Sequence, residues 1–211
     1  MNQNQKNNLV IFASGAGSNT QKIIDYFKEN QRAKIVLIVS NNKKAGVLQI
    51  AAKENIPSLI ISKQHFEETG YVEELKKYQP RLIILAGFLW KIPAILISAY
   101  SNRILNIHPA LLPDYGGKGM YGKAVHEAGV LAKEKKSGIS IHYVDEKYDH
   151  GKTIFQASCF LDENETPESL AEKIHELEHN FYPKTIDKVL GELDNWKLKI
   201  ENWKFEERMN C

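Results

Sequence analysis

Leu9-Val10-Ile11-Phe12-Ala13 runs directly into Ser14-Gly15-Ala16-Gly17-Ser18-Asn19, and the reading of this stretch decides the fold. An apolar run without alternation predicts a strand buried on both faces. The glycine-containing turn, followed from Asn19 by Ile23, Ile24 and Phe27 at helical spacing, predicts entry into an amphipathic helix. A doubly buried strand feeding a helix is the building block of a parallel sheet, whose strands need crossover connections.

The same alternation recurs along the chain. Residues 34–39, 58–61, 82–86 and 104–108 read as further strands, and 45–54, 71–78 and 93–100 as helices. The predicted class is α/β: a Rossmann-like open sheet, mostly parallel, with helices on both faces. After Pro113 the pattern changes. Residues 114–122 are rich in glycine and predict a mobile loop. Residues 139–144 and 153–157 alternate, which predicts an antiparallel C-terminal part joined by a loop at 145–151. Thr166 is placed to cap a helix with Pro167 in its first turn, and Leu170, Ile174, Leu177 and Phe181 continue it. Pro183 is expected to kink or divide that helix. The tail at 191–211, with Trp196 and Trp203, fits either a last strand or a surface segment.

With 211 residues, the chain is expected to form one domain over 1–211, with a polar lead-in at 1–7. A net charge of +2 argues against a broad nucleic-acid surface. No apolar run approaches the roughly 20 residues that span a bilayer, and the polar N-terminus lacks a signal-peptide core. Neither Cys159 nor Cys211 belongs to a CxxC pair, so a zinc site is not expected and a reducing cytoplasm is.

Three features carry chemistry. In the turn 14–18, glycines let backbone N–H groups approach an anion at a helix N-terminus. Thr20 replaces the third glycine of a dinucleotide fingerprint, and no Gly-Lys-Ser/Thr follows, so a single phosphate fits better than a dinucleotide or a P-loop. A plain tight turn remains the alternative. In Leu105-Asn106-Ile107-His108-Pro109, Asn106 and His108 share one strand face. A carboxamide that donates without titrating, beside an imidazole that titrates near neutrality, suits a carbonyl oxygen gaining charge while protons move. A strand end whose polar groups bond only to local backbone would look the same. In Asp145-Glu146-Lys147-Tyr148-Asp149-His150-Gly151, an acid is available to orient His108 or shuttle protons. A solvated hairpin loop is the alternative there, and for His142 and His150 a sheet-face and an exposed loop histidine. No spacing resembles a metal site.

These residues, taken in order, resemble a known family. Ser14-Gly15-Ala16-Gly17-Ser18-Asn19, Ala86-Gly87-Phe88, Asn106-Ile107-His108-Pro109 with Leu111-Leu112-Pro113, Asp149-His150-Gly151 and Glu178-His179-Asn180-Phe181-Tyr182-Pro183 are similar to the runs of the phosphoribosylglycinamide formyltransferase family, within the formyltransferase superfamily. The resemblance covers about residues 8 to 190. It implies Asn106, His108 and Asp149 as catalytic residues. It also implies Gly17, Ser18 and Asn19 as a substrate-phosphate turn, with Glu178 as an acid contacting glycinamide ribonucleotide. Leu89, Trp90, Lys91 and Ile92, with the loop that opens at Val144 and Asp145 and runs to Asp149, correspond to the folate-binding segments. Trp90, and Glu68 at or near a second such position, stand where many members carry arginine. The loop 117–123 lacks histidines that some members have.

The implied reaction moves the formyl group of 10-formyltetrahydrofolate, a co-substrate, to the amine of glycinamide ribonucleotide in purine synthesis, without a metal. Asn106 would stabilise the tetrahedral oxyanion, with a protonated His108 beside it. Asp149 would support proton transfer through a water and raise the imidazole pKa. Small-molecule partners, no nucleic acid, no membrane, and a monomer or weak homodimer are expected. Two alternatives stand: a formyltetrahydrofolate deformylase-like hydrolase, whose extra N-terminal domain has no room expected before residue 8, and a non-catalytic nucleotide-binding module. The related methionyl-tRNA formyltransferase carries a C-terminal domain not expected here. Cys159 is expected to be a packed thiol.

Overall fold

Successive residues of the first strand enter different cores, which is why its sequence shows no polar alternation. Leu9 and Ile11 pack into one apolar cluster, Val10 and Phe12 into another, and all four are fully buried. The computed structural model describes residues 7–209, with side chains through residue 195. In chain order the elements are β1 (Asn7–Phe12), α1 (Ser18–Asn30), β2 (Ala33–Ser40), α2 (Val47–Lys53), β3 (Ser58–Ile60), α3 (Lys63–Glu67) and α4 (Thr69–Lys76). There follow β4 (Leu82–Leu85), α5 (Ala94–Ala99), β5 (Ile104–His108), α6 (Lys123–Leu131), β6 (Lys136–Tyr143), β7 (Thr153–Phe160) and α7 (Pro167–Met209).

The sheet has the order β3-β2-β1-β4-β5-β6-β7. Strands β1 to β5 pair in parallel, whereas β5–β6 and β6–β7 are antiparallel. The expected mostly parallel sheet with an antiparallel C-terminal part is therefore observed. Residues of α1, α2 and α7 pack into one core and those of α3, α4 and α5 into the other, so both faces are covered. The strand order reverses between β1 and β4, and such a reversal opens a crevice at the carboxyl ends of the strands. The glycine turn after β1 and the Gly87 loop after β4 meet there. Ser14 N–H donates to the Gly87 carbonyl (3.1 Å), and the Ser14 hydroxyl accepts from Leu89 N–H (3.0 Å).

Four local expectations change. Helix α7 runs through Pro183 without a break, because Ile174 and Tyr182 before it and Ile186, Val189 and Leu190 after it are buried in the same core. That burial outweighs the roughly 3 kcal/mol that an internal proline costs. The tail continues this helix rather than forming a strand; the side chains of Trp196 and Trp203 lie outside the described residues, as does Cys211. Helices α3 and α6 were not expected. The former is one short turn capped by Ser62, whose hydroxyl accepts from His65 N–H (3.2 Å). The latter buries Val125, His126 and Gly129, a face too poor in large apolar residues to produce a helical period. The Thr166 cap is as expected, with its hydroxyl accepting from Ser169 N–H (3.1 Å). No helix among the described residues is long and apolar enough to cross a membrane.

Tyr182 ties α7 to the strands that carry the site. Its hydroxyl, fully buried, is shared between the carbonyls of Leu85 in β4 (3.0 Å) and Leu105 in β5 (3.2 Å). Tyr182→Phe strips both carbonyls of that donor and is expected to cost about 1–2 kcal/mol. Urea unfolding with an unchanged m-value measures it. A loss smaller than about 0.3 kcal/mol, well under the usual net value of one hydrogen bond, would show that this bridge contributes nothing.

Candidate active site

Strand β5 turns Asn106 and His108 to one side, while Leu105 and Ile107 enter the core behind them. Antiparallel pairing places Asn106 opposite His142 and His108 opposite Ser140. His142 Nδ1 lies 2.8 Å from the Tyr143 carbonyl, which only accepts, so Nδ1 carries the proton and Nε2 is the acceptor. Asn106 Nδ2 donates to that Nε2 (3.1 Å). This fixes the carboxamide with its NH₂ turned toward the reaction centre. The second N–H makes a long contact of 3.4 Å with Asp149 Oδ1, so it remains open to a better acceptor. Ser140, fully buried, holds the segment beyond His108. Its hydroxyl donates to the Ala110 carbonyl (2.7 Å) and accepts from Leu112 N–H (2.8 Å).

Asp149 arrives from the β6–β7 loop in the left-handed backbone region, at φ 51°, which aspartate tolerates better than most residues. The loop is built to hold it there. Asp145 accepts from Lys147 N–H (2.8 Å) and pairs with exposed His150 (2.8 Å). Gly151 passes so close to β6 that a Cβ would stand 1.8 Å from the Tyr143 carbonyl oxygen. Only glycine permits that approach. Asp149 Oδ2 then accepts from Gly117 N–H (3.0 Å) and lies 3.6 Å from His108 Nδ1.

His108 is buried, at 3% exposure. Its Nε2 lies 2.8 Å from the Tyr115 carbonyl, so Nε2 carries a proton and Nδ1 presents a lone pair when the ring is neutral. Burial pushes the imidazole pKa down and outweighs Asp149 and the Tyr115 carbonyl, which raise it. The expected net rise is thus corrected: the resting ring is neutral because desolvation is the larger effect. For Asp149, burial acts upward, but His142 and His108, whenever either carries the extra proton, and the Gly117 N–H hold the carboxyl below its ordinary value. The site pairs an ionised carboxylate with a neutral imidazole.

At the other end of the crevice, Gly17 sits at φ 88° as the residue preceding α1. A Cβ there would meet Val47 at 2.9 Å. The first ladder bond of α1 runs from Gln21 N–H to the Gly17 carbonyl, and no side chain among the described residues caps the helix. The N–H groups of Ser18, Asn19 and Thr20 therefore lie at an uncapped helix N-terminus, where an anion is favoured. The Asn19 side chain does not face an anion here. Its Nδ2 donates to Glu178 Oε2 (2.8 Å). Burial pushes the Glu178 carboxyl above its ordinary range, against the lowering effect of Asn19 and His175.

One cleft of about 740 Å³ joins these parts, within the size range of small-molecule sites. The residues given catalytic, phosphate or folate roles from the sequence line it: Gly17, Ser18 and Asn19 of the turn, the Asn106/His108/Asp149 group, Glu178 from α7, residues 89–92, and Val144 and Asp145. Trp90 packs among Phe66 and Phe88, and Lys91 lies over the Tyr148 ring at 5.8 Å, which brings the two apolar-walled loops together at the mouth. Glu68 stands outside this lining, preceding α4 and 3.5 Å from His65. Sequence reasoning missed His142, His126 and His175 as lining residues. His142 is identified only by its strand pairing with Asn106, which local sequence does not contain, and His126 lies on α6, which leaves no helical period. Cys159 is a partly buried free thiol on β7, and burial pushes its pKa up. Among the described residues no His/Cys/Asp/Glu group is arranged to hold a metal ion.

Residues 7–186 match the Formyl transferase family. The Bacillus subtilis (strain 168) protein named phosphoribosylglycinamide formyltransferase is 39% identical over 189 residues, covering 87% of this chain and 94% of its own length. The Arabidopsis thaliana chloroplastic protein of that name is 37% identical over 200 residues, covering 92% of this chain and 68% of its own. The crystal structure of phosphoribosylglycinamide formyltransferase from Bacillus halodurans superposes with a TM-score of 0.79 at 33% identity, covering 87% of this chain and 95% of that one.

The electrostatics are measurable directly. Followed by its Cε1–H proton resonance, His108 is expected to titrate below 6.5, and in Asp149→Asn lower still, because the carboxylate that raises it is gone. The depressed midpoint also fixes a sign. The native state holds this proton less tightly than the unfolded chain, so stability falls as pH drops from 6.5 through the folded midpoint. A midpoint above 6.5, or an upward move in Asp149→Asn, would contradict this balance.

Proposed function

The chain belongs to the formyl transferase family, and from that premise we propose that it transfers the formyl group of 10-formyltetrahydrofolate to the amine of glycinamide ribonucleotide. The product is formylglycinamide ribonucleotide, an intermediate of purine synthesis. The observation that carries this reading is the convergence, in one cleft, of Asn106, His108 and Asp149 with an uncapped helix N-terminus fit for a phosphate.

The acceptor's phosphate lies on the N–H groups of Ser18, Asn19 and Thr20, and Glu178, positioned by Asn19, contacts the rest of the ribonucleotide. The folate occupies the side walled by Leu89, Trp90, Lys91 and Ile92 and by Val144 and Asp145. An apolar wall with accessible backbone groups suits a flat, polar-edged pteridine. It is also why Trp90 is tolerated where a charge is usual. A free thiol at Cys159 fits a reducing cytoplasm.

The acceptor amine has a pKa of about 8, so a fraction is neutral and nucleophilic at pH 7. It forms a bond to the formyl carbon, and the carbonyl electron pair moves onto oxygen. The loosely held second N–H of Asn106 turns to that oxyanion; one such donor is worth about 3 kcal/mol. The attacking nitrogen must now lose a proton. His108, neutral at rest, accepts it on Nδ1, and ionised Asp149 stabilises the imidazolium, directly or through one water across the 3.6 Å gap. The proton then passes to N10, the carbon–N10 bond breaks, and tetrahydrofolate leaves. In this reading His108 collects the proton before it delivers it, in place of starting protonated.

The test is spectroscopic appearance of tetrahydrofolate with and without glycinamide ribonucleotide. Release that requires the ribonucleotide supports the transferase; equal release without it indicates hydrolysis, and no release in either case removes enzymatic function. Within the same assay, Asp149→Asn is expected to lower kcat by about 10²- to 10⁴-fold with little change in either KM. A kcat within about threefold of the parent, far short of general acid–base assistance, would end the assignment of Asp149.

A further inference from the structure

Helix α6 contributes one polar side chain to the cleft that the reaction above does not use. His126 lines the cleft and is buried, with 5% exposure. Its Nδ1 is closed off from solvent and has no hydrogen-bond partner among the described residues. A buried N–H without an acceptor is rarer than an unused lone pair, so the favoured tautomer leaves Nδ1 bare and protonates Nε2. Nε2 is then the nitrogen left for the open side of the ring. Burial lowers the His126 pKa, and His175 and His108 act the same way, so the group is a neutral donor.

Its place in the fold says which substrate it meets. Phe88, Trp90, Ile92 and Val144 of the folate walls pack against the core that holds α3, α4 and α5. Helix α6 belongs to the other side of the sheet. Val130 packs on the core shared by α1 and α7, and Lys123 pairs with Glu168 of α7 (3.2 Å). His126 thus stands with Glu178 on the acceptor side, lining the same cleft as His108 and His175. The phosphate already has a helix N-terminus, and a neutral donor suits an uncharged acceptor better. Between the amine and the ribose of glycinamide ribonucleotide there is one such group, the amide carbonyl.

We propose that His126 is a specificity-determining residue, donating from Nε2 to the amide carbonyl of the acceptor and so reading its glycinamide arm. This rests on the transferase reading. In His126→Leu, KM for glycinamide ribonucleotide is expected to rise by about 3- to 10-fold, the loss of one hydrogen bond, with kcat and the folate KM unchanged. His126→Gln, whose amide nitrogen reaches a position like that of Nε2, is expected to restore most of that loss. Ribose 5-phosphate lacks the glycinamide arm, so its inhibition constant is expected to be the same in parent and His126→Leu. Equal thermal midpoints exclude a folding defect as the cause. An unchanged ribonucleotide KM in active His126→Leu overturns the proposal, and so does an inhibition constant for ribose 5-phosphate that weakens by the same factor as KM. A parent protein with no ribonucleotide-dependent turnover overturns the transferase reading, a failure seen before any variant is made.

Discussion

The site depends on the register between β5 and β6. Asn106 stands opposite His142, and His108 opposite Ser140. A slip of one residue would send Asn106 and His108 into the core and bring Leu105 and Ile107 to the cleft. The register is secured from both directions. Leu105, Ile107, Ile139 and Ile141 are buried in one core, and Ser140 clamps the chain beyond His108 through Ala110 and Leu112. With that pairing set, His142 fixes the Asn106 carboxamide. The close passage of Gly151 against β6 then delivers Asp149 to the same point.

Burial then sets the chemistry. The attraction between His108 and Asp149 acts across 3.6 Å without a direct hydrogen bond, whereas desolvation acts on the whole imidazole. Desolvation is the larger effect, and the ring rests neutral beside an ionised carboxylate. A neutral base next to a fixed negative charge is suited to receive a proton and hold it briefly. An imidazolium locked in an ion pair would give it up less readily. The antiparallel return of β6 and β7 makes this possible, since it brings an acidic loop across the carboxyl ends of parallel strands.

Much of this was legible in the chain. Residues 9–13, 35–39 and 82–86 send side chains into both cores, and a strand of that kind leaves an unbroken apolar run. The glycine turn and the Asn106/His108 spacing were equally plain, because period two along a strand is geometry that sequence states directly. What stayed hidden depended on partners distant in sequence. His142 gains meaning only from the strand opposite it. The continuity of α7 through Pro183 comes from core contacts on both sides of the proline, which local propensity does not contain. Helix α6 follows a run of glycines and turns a histidine and a glycine inward, so it left no hydrophobic period. The sign of the His108 shift required knowing how deeply the ring is buried, and spacing alone suggested only its carboxylate neighbour.

The central claim is that one cleft, ordered by the β5–β6 register, holds both substrates with the formyl carbon at Asn106 and His108. A crystal structure of the protein with glycinamide ribonucleotide and a non-reactive folate analogue tests it most directly. The account predicts the phosphate on the N–H groups of Ser18, Asn19 and Thr20, the pteridine between residues 89–92 and 144–149, and the acceptor amine beside His108 Nδ1. A pteridine bound elsewhere, or an acceptor amine remote from both Asn106 and His108, would contradict it.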